Sequence, residues 1–322
     1  MAAVLPLLGG CAKHNKKETY YLIGTNMDVP YWKTAAAGFQ KAGAEYGVTA
    51  EVRGPKTFDP QAEVDAFRSV VAGHPSGILI SVANSALLAP EIDAAIAAGV
   101  PVITVDSDAP ESKRLYFIGT NNLEAGRLGG HRAAAKLNGK GNVVFFTNPG
   151  QPNLDQRLKG YEEVFATYPG IKVVEVADIK GDSGTAMDKA TEYLLRTGAN
   201  KIDAFVCLES ASGKDVGEVF KRHAAEAKDR VLVSMDLAVG TLLLVQDGTI
   251  DSTISQKPYT MGLLGLKALD EIHHYPVKTL AGDFGLDPFS PFPSFIDTGV
   301  SLVDKMNVGP LLERTRAVEL EQ

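Results

Sequence analysis

Gly99-Val100-Pro101-Val102-Ile103-Thr104-Val105-Asp106 is a short run of apolar, mostly β-branched residues that stops on an aspartate. A run of this kind, apolar at every position, belongs to a strand buried on both faces, as in a parallel sheet covered by helices. Val231-Leu232-Val233-Ser234-Met235-Asp236 repeats the pattern later in the chain. Upstream of each lies a matching helix: Gly38-Phe39 leads to Tyr46-Gly47-Val48, and Gly160-Tyr161 leads to Tyr168-Pro169-Gly170-Ile171. Gly38 and Asp106 are 68 positions apart, Gly160 and Asp236 are 76. The chain reads as a duplicated α/β unit.

Strands and amphipathic stretches alternate outward from these runs. The first half has strands at 20–24, 49–53, 77–82 and 101–105, with helices starting at Pro30, near Val64 and at Leu87. In the first helix Trp32, Ala35, Ala36, Phe39, Ala42 and Tyr46 recur at three- and four-residue steps, and Gly47 ends it. The second half has strands at 142–146, 173–176, 202–207 and 231–235, with helices at 155–168, 186–196 and 214–227. Strict alternation predicts two doubly wound parallel-sheet domains of Rossmann-like α/β class. A further strand (249–255), a helix through Leu269 and apolar segments at 293–296 and 300–303 remain. They imply that the chain crosses between domains more than once, as a multi-strand hinge. The expected division is 1–19 as signal remnant, lipobox and tether; 20–121 with 257–290 as the first lobe; 122–256 with 291–308 as the second; and 309–322 as a tail.

The 322 residues carry 32 Lys+Arg against 39 Asp+Glu, a formal charge of −7. Nothing supplies the basic face a nucleic acid requires. No apolar run approaches the ~20 residues that span a bilayer. Cys11 and Cys207 make neither a disulfide framework nor a metal knuckle, and the six histidines show no metal-ligand spacing apart from the adjacent His273-His274. Neither a GxGxxG nor a P-loop is present, and a GxSxG elbow is also missing. No cofactor and no metal are expected.

Met1 to Gly10 is uncharged and apolar, then Cys11 precedes a polar, basic stretch. Leu8-Gly9-Gly10-Cys11 resembles a bacterial lipobox, which predicts lipidation at Cys11 and a membrane anchor outside the cytoplasm. The leader lacks a basic start, so translation is expected to begin upstream of Met1.

Ligands of open parallel sheets gather beyond the carboxyl ends of the strands. The polar and aromatic residues there are Asn26, Asp28, Tyr31, Trp32, Asp106 and Ser107 in the first half. The second half contributes Asn148, Asn153, Arg157, Asp182, Glu209, Asp236 and Gln256. Carboxylates accept hydroxyl protons, arginine donates, amides do both, and an aromatic face covers the C–H side of a sugar ring. The mixture suits a neutral polyhydroxylated ligand. Each residue has a plainer role open to it: Trp32 in the core, Asp106 and Asp236 as turn caps, Glu209 as a helix cap, and Asp182 as the shaper of its Gly-Asp-Ser-Gly loop.

Val29-Pro30-Tyr31-Trp32 with Gly38, the run from Gly99 to Asp106, Ile118-Gly119-Thr120-Asn121-Asn122 with Gly126, Arg157-Leu158-Lys159-Gly160-Tyr161, and the stretch from Asp251 to Tyr259 with Gly262 together resemble the periplasmic sugar-binding proteins of ABC importers, the ribose-binding type. The resemblance spans roughly Tyr20 to Val308. It implies the type I periplasmic binding fold, a sugar between the lobes, Tyr31 and Trp32 sandwiching it, and Asp106, Arg157, Asp236 and Gln256 binding it. The partners it implies are a small-molecule sugar, ABC permease subunits and, through the lipid anchor alone, a membrane; the chain is expected to be a monomer without enzymatic activity. Ser107 replaces the arginine of many ribose binders, Glu209 an Asn or Asp, and Val29 an asparagine, which argues against ribose itself. The rival readings are a sugar receptor that signals to a chemoreceptor or kinase, and a sugar-modifying enzyme using two carboxylates.

Overall fold

The protein is described by a computed structural model covering residues 14–280, 284 and 287–320. Cys11 and the expected lipobox lie outside the described residues.

The chain runs β1 (Thr19–Ile23), α1 (Pro30–Tyr46), β2 (Thr49–Arg53), α2 (Pro60–Val71), β3 (Gly77–Ile80), α3 (Ser85–Ala97), β4 (Val102–Val105) and β5 (Phe117–Gly119). It then passes into α4 (Asn122–Lys136), β6 (Lys140–Thr147), α5 (Pro152–Phe165), β7 (Gly170–Asp178), α6 (Ser183–Leu194), β8 (Ala204–Cys207), α7 (Ser212–Arg222), α8 (Ala224–Ala227), β9 (Val231–Met235), α9 (Val239–Asp247) and β10 (Ser252–Ser255). It continues through α10 (Pro258–His274), β11 (Phe295–Asp297), β12 (Ser301–Asp304) and α11 (Val308–Leu320). Two six-stranded sheets result, ordered β11-β5-β4-β3-β1-β2 and β12-β10-β9-β8-β6-β7. All pairings are parallel except β10 with β12.

Local chemistry fixes the helix starts. Proline opens α1, α2, α5 and α10, where its missing N–H costs nothing. Side chains of Asp59, Asn84, Asn121 and Asp182 cap α2, α3, α4 and α6. Strands β3, β4 and β8 are buried at every position.

The pseudo-repeat extends to how the helices meet. A side chain at Gly38 of α1 would lie 2.0 Å from the Tyr259 carbonyl oxygen, and one at Gly262 of α10 would lie 2.0 Å from that of Ala35. In the second lobe Gly126 of α4 and Gly160 of α5 stand in the same relation to Arg157 and Leu123, at 2.1 and 2.3 Å. These four glycines permit backbone-to-backbone helix crossings, one in each lobe.

Two expectations need correction. Residues 295–297 pair with β5 and so join the first sheet, whereas 291–308 was assigned to the second lobe; only β12 joins the second sheet. Residues 308–320 form a helix, with Val308 and Leu312 in the second lobe's core, rather than a tail. The chain thus crosses between sheets three times, after β5, after β10 and after β11. The crossings are tied together: Thr298 donates through its N–H and Oγ1 to the Gly119 carbonyl at 2.8 and 3.0 Å, and Thr120 Oγ1 donates to Gln256 Oε1 at 2.7 Å.

Candidate ligand-binding site

Between the two sets of strand tips lies a cavity of about 70 Å³, lined by residues of both lobes. At roughly 10–15 Å³ per water position, that is room for about five waters, the scale of a single small ring.

Asp106 and Asp236 sit at the ends of β4 and β9 with left-handed backbone, φ +63° and +69°. Aspartate tolerates this region better than most residues, and the turn aims both carboxylates into the cavity. Both are 5% exposed. Tyr31 Oη donates to Asp106 Oδ1 at 2.7 Å, and Ser81 Oγ reaches Oδ2 at 3.4 Å. Gln256 Nε2 donates to Asp236 Oδ1 at 3.0 Å. Burial pushes the Asp236 carboxyl up to about 7 against the pull of Arg157, and raises Asp106 for the same reason.

Arg157 is the cation between them and only 2% exposed. Its Nε donates to Asn122 Oδ1 at 2.9 Å, Nη1 to the Leu208 carbonyl at 2.8 Å and Nη2 to Gln256 Oε1 at 3.0 Å. Because α5 begins at Pro152 and not at Asp155, Arg157 stands in its second turn rather than its first. Gln256, on the crossing after β10, therefore links the arginine to Asp236 through its two amide atoms.

The lobes also touch directly. Asn153 Nδ2, on α5, donates to Asp106 Oδ2 at 3.1 Å, and a side chain at Gly181 would meet Phe58 of the first lobe at 2.7 Å. The cleft is closed.

Of the residues picked from sequence, Asn26, Tyr31, Trp32, Asp106, Arg157, Glu209, Asp236 and Gln256 line this cavity, with Asn148 and Asn153. Asp28, Ser107 and Asp182 do not. Asp28 is exposed on the loop before α1. Ser107 is fully buried and bridges back to Val105. Asp182 is exposed and accepts from Thr185 N and Oγ1, both at 2.7 Å, as the cap of α6. Glu209 lines the cavity, yet both its oxygens accept from the start of α7, Ala211 N and Ser212 N at 2.6 Å.

The sandwich expected of Tyr31 and Trp32 is also corrected. Their rings meet edge to face, 5.3 Å between centroids and 83° between planes, so no sugar ring fits between them. Phe58, Gln151, Leu154 and Ser210 line the cavity without having been singled out. Phe58 gave no signal because it follows an edge strand within a polar loop.

Among the described residues the cavity holds two buried aspartates, Glu209, one buried arginine, amides and aromatic rings. Two parallel-sheet lobes on a three-stranded hinge, closed over a polar cleft, define a solute-binding protein of type I architecture. Residues 20–273 match the family model described as periplasmic binding protein domain, and the chain belongs to that family. Among solved structures, an ABC transporter solute-binding protein from Burkholderia graminis in complex with D-arabinose superposes with a TM-score of 0.82 at 27% identity, covering 91% of this chain and 97% of its own. A sugar-binding protein of a sugar ABC transporter from Bacillus halodurans gives 0.76 at 33% identity, covering 91% and 99%. The xylose/arabinose-binding protein of Sulfolobus acidocaldarius is 23% identical over 303 residues, 89% of this chain and 71% of its own. None of the described helices is long and apolar enough to cross a membrane.

Proposed function

We propose that the protein is an extracytoplasmic receptor that captures a neutral monosaccharide or related polyol in the cleft and delivers it to an ABC permease. The observation that carries this reading is the convergence of Asp106, Asp236, Arg157, Asn153 and Gln256 from both lobes on one ring-sized cavity. The carboxylates serve as fixed hydroxyl acceptors, Arg157 and the amides donate, and Trp32 and Phe58 supply apolar surface for C–H groups. Asp106, Asp236 and Glu209 line the cavity against one arginine, which disfavours an anionic sugar acid or phosphate in a desolvated space. Pentoses head the candidates, since the Burkholderia structure holds D-arabinose and the Sulfolobus relative is named for xylose and arabinose.

Closure works because both lobes line the cavity, so ligand binds the closed state far better than the open one. Lipidation at Cys11 would hold the receptor at the outer face of a membrane.

The test is a melting screen on protein stripped of co-purified ligand by unfolding and refolding. One or a few neutral pentoses, hexoses or polyols raise the melting temperature by several degrees, as mass action requires, and sugar acids do not. A flat response across the whole panel removes the proposal.

A further inference from the structure

The segment ahead of β1 is held against the first lobe, at the end of the sheet opposite the cleft. Thr49 Oγ1 donates to the Lys16 carbonyl at 2.8 Å, Thr49 N donates to that of Glu18 at 2.9 Å, and the His14 ring stacks on Tyr46 with centroids 4.9 Å apart. This brings His14 against the last turns of α10, 256 positions away in sequence, with Nε2 2.8 Å from Asp270 Oδ2. One turn on, His274 Nε2 lies 3.6 Å from Asp270 Oδ1 and 3.1 Å from Glu18 Oε2. One donor atom from each of His14, Asp270 and His274 lies within 4.8 Å of the others.

The charge balance of this cluster is unusual. Asp270 and Glu18 are 5% and 7% exposed, and their only ion-pair partners among the described residues are imidazoles. Lys267, on the same helix, is paired with Glu45 at 3.0 Å instead. No lysine or arginine among the described residues pairs with either carboxylate, an arrangement that is costly without a compensating charge. The Tyr20 phenol faces the same pair, its Oη donating to Asp270 Oδ1 at 3.1 Å.

We propose that His14, Asp270 and His274, with Glu18 as a fourth or supporting carboxylate, bind a divalent transition-metal ion of the zinc class that fastens the segment before β1 to the lobe. Tetrahedral zinc with bonds of about 2.0–2.1 Å sets its donors roughly 3.3–3.4 Å apart; here His14 meets one oxygen of Asp270 at 2.8 Å, His274 meets the other at 3.6 Å and Glu18 at 3.1 Å, and one donor atom from each of His14, Asp270 and His274 falls within 4.8 Å of the others. Two imidazoles with carboxylate suit zinc or cobalt, whereas magnesium and calcium favour all-oxygen sites. A supporting layer is in place. Tyr20 orients Asp270, and Asn15 donates to Glu18 Oε1 through its N–H at 3.2 Å and its Nδ2 at 2.5 Å, leaving Oε2 toward His274.

The experiment uses the full chain carrying Cys11→Ser, without a histidine tag, so that neither thiol nor tag competes for the ion. Zinc is titrated against a chromogenic chelator, and cobalt is followed by its visible absorption. One equivalent binds at micromolar concentration or tighter, and cobalt gives a tetrahedral-type spectrum. His14→Ala and His274→Gln, on separate elements, each weaken binding at least roughly tenfold, since even loss of a supporting group costs that much. His131→Ala, an exposed histidine on α4, leaves binding unchanged, and each variant's melting curve confirms that it folds. Absence of binding up to millimolar zinc, or affinity unchanged in both variants, overturns the proposal.

Discussion

Asp106 and Asp236 occupy equivalent places in the two lobes. Each follows the last residue of a strand in left-handed backbone, φ +63° and +69°. Each donates its N–H across the sheet to the neighbouring strand, to Ile118 at 3.1 Å and to Ile254 at 2.8 Å. Equivalent backbone turns bring two carboxylates to one cavity, where Arg157 moderates both.

Asp106→Asn and Asp236→Asn keep the shape and tolerate left-handed backbone, so they isolate the charge. Each weakens binding of the stabilising sugar by about 1.5–3 kcal/mol, the range for hydrogen bonds to charged groups. Isothermal titration checks this; undiminished affinity in both variants would place the ligand elsewhere.

Binding couples to protons through Asp236. An unfolded aspartate titrates near about 3.9, and burial in the closed, ligand-free protein pushes this one up to about 7. Between those values the folded chain keeps a proton the unfolded chain has lost. The contribution to stability is therefore full below about pH 4 and falls as pH rises to 7. A sugar hydroxyl donating to the carboxylate favours the charged form. Affinity thus rises with pH up to about 7, and binding near about pH 6 releases a proton. Titration calorimetry in two buffers of different ionisation enthalpy reads the release, which Asp236→Asn abolishes.

Arg157 is held at three nitrogens by Asn122, Leu208 and Gln256. A lysine offers one compact donor group where these partners need a planar fork. Arg157→Lys lowers affinity and also destabilises the second lobe by about 1–3 kcal/mol, the cost of polar groups left unpaired in the interior. Urea unfolding without ligand separates the stability loss from the binding loss.

Asn153 reaches across to Asp106 at 3.1 Å. Asn153→Ala removes this bridge and shifts the ligand-free ensemble toward open forms. Small-angle scattering then gives a larger radius of gyration for the ligand-free variant than for the ligand-free parent, with equal values once sugar is saturating. Identical ligand-free radii would mean that the bridge does not hold the lobes together.

Gly38→Ala and Gly262→Ala each place a methyl about 2.0 Å from a backbone carbonyl oxygen of the facing helix. Forcing α1 and α10 apart costs about 1–3 kcal/mol or more. Gly309→Ala in α11, where a new Cβ meets nothing within 4 Å, serves as the control and loses nothing. Denaturant midpoints read the difference.

The apolar runs that end on Asp106 and Asp236, the helix-opening prolines and the alternation of periods identified the α/β class directly, because buried parallel strands and proline starts are local properties of the chain. Helix α4 escaped notice: apart from Asn122 its buried residues are alanine and glycine, including Gly126, Gly129 and Gly130, so it shows no large apolar stripe. Strand β11 is short and mostly exposed, and nothing local says which sheet it joins. The same holds for side chains with two available roles. Asp182 caps α6 and Glu209 caps the start of α7, and only the placement of those helices decides it.

Sequence by itself determined which residues stand at the strand tips, since that depends on where each apolar run stops. Tertiary structure decided which tips meet. Asn153 touches Asp106 and His14 lies against Asp270 because packed helices and three hinge crossings bring distant segments together. Contacts between residues tens to hundreds of positions apart leave no periodic trace along the chain, so no local pattern could announce them.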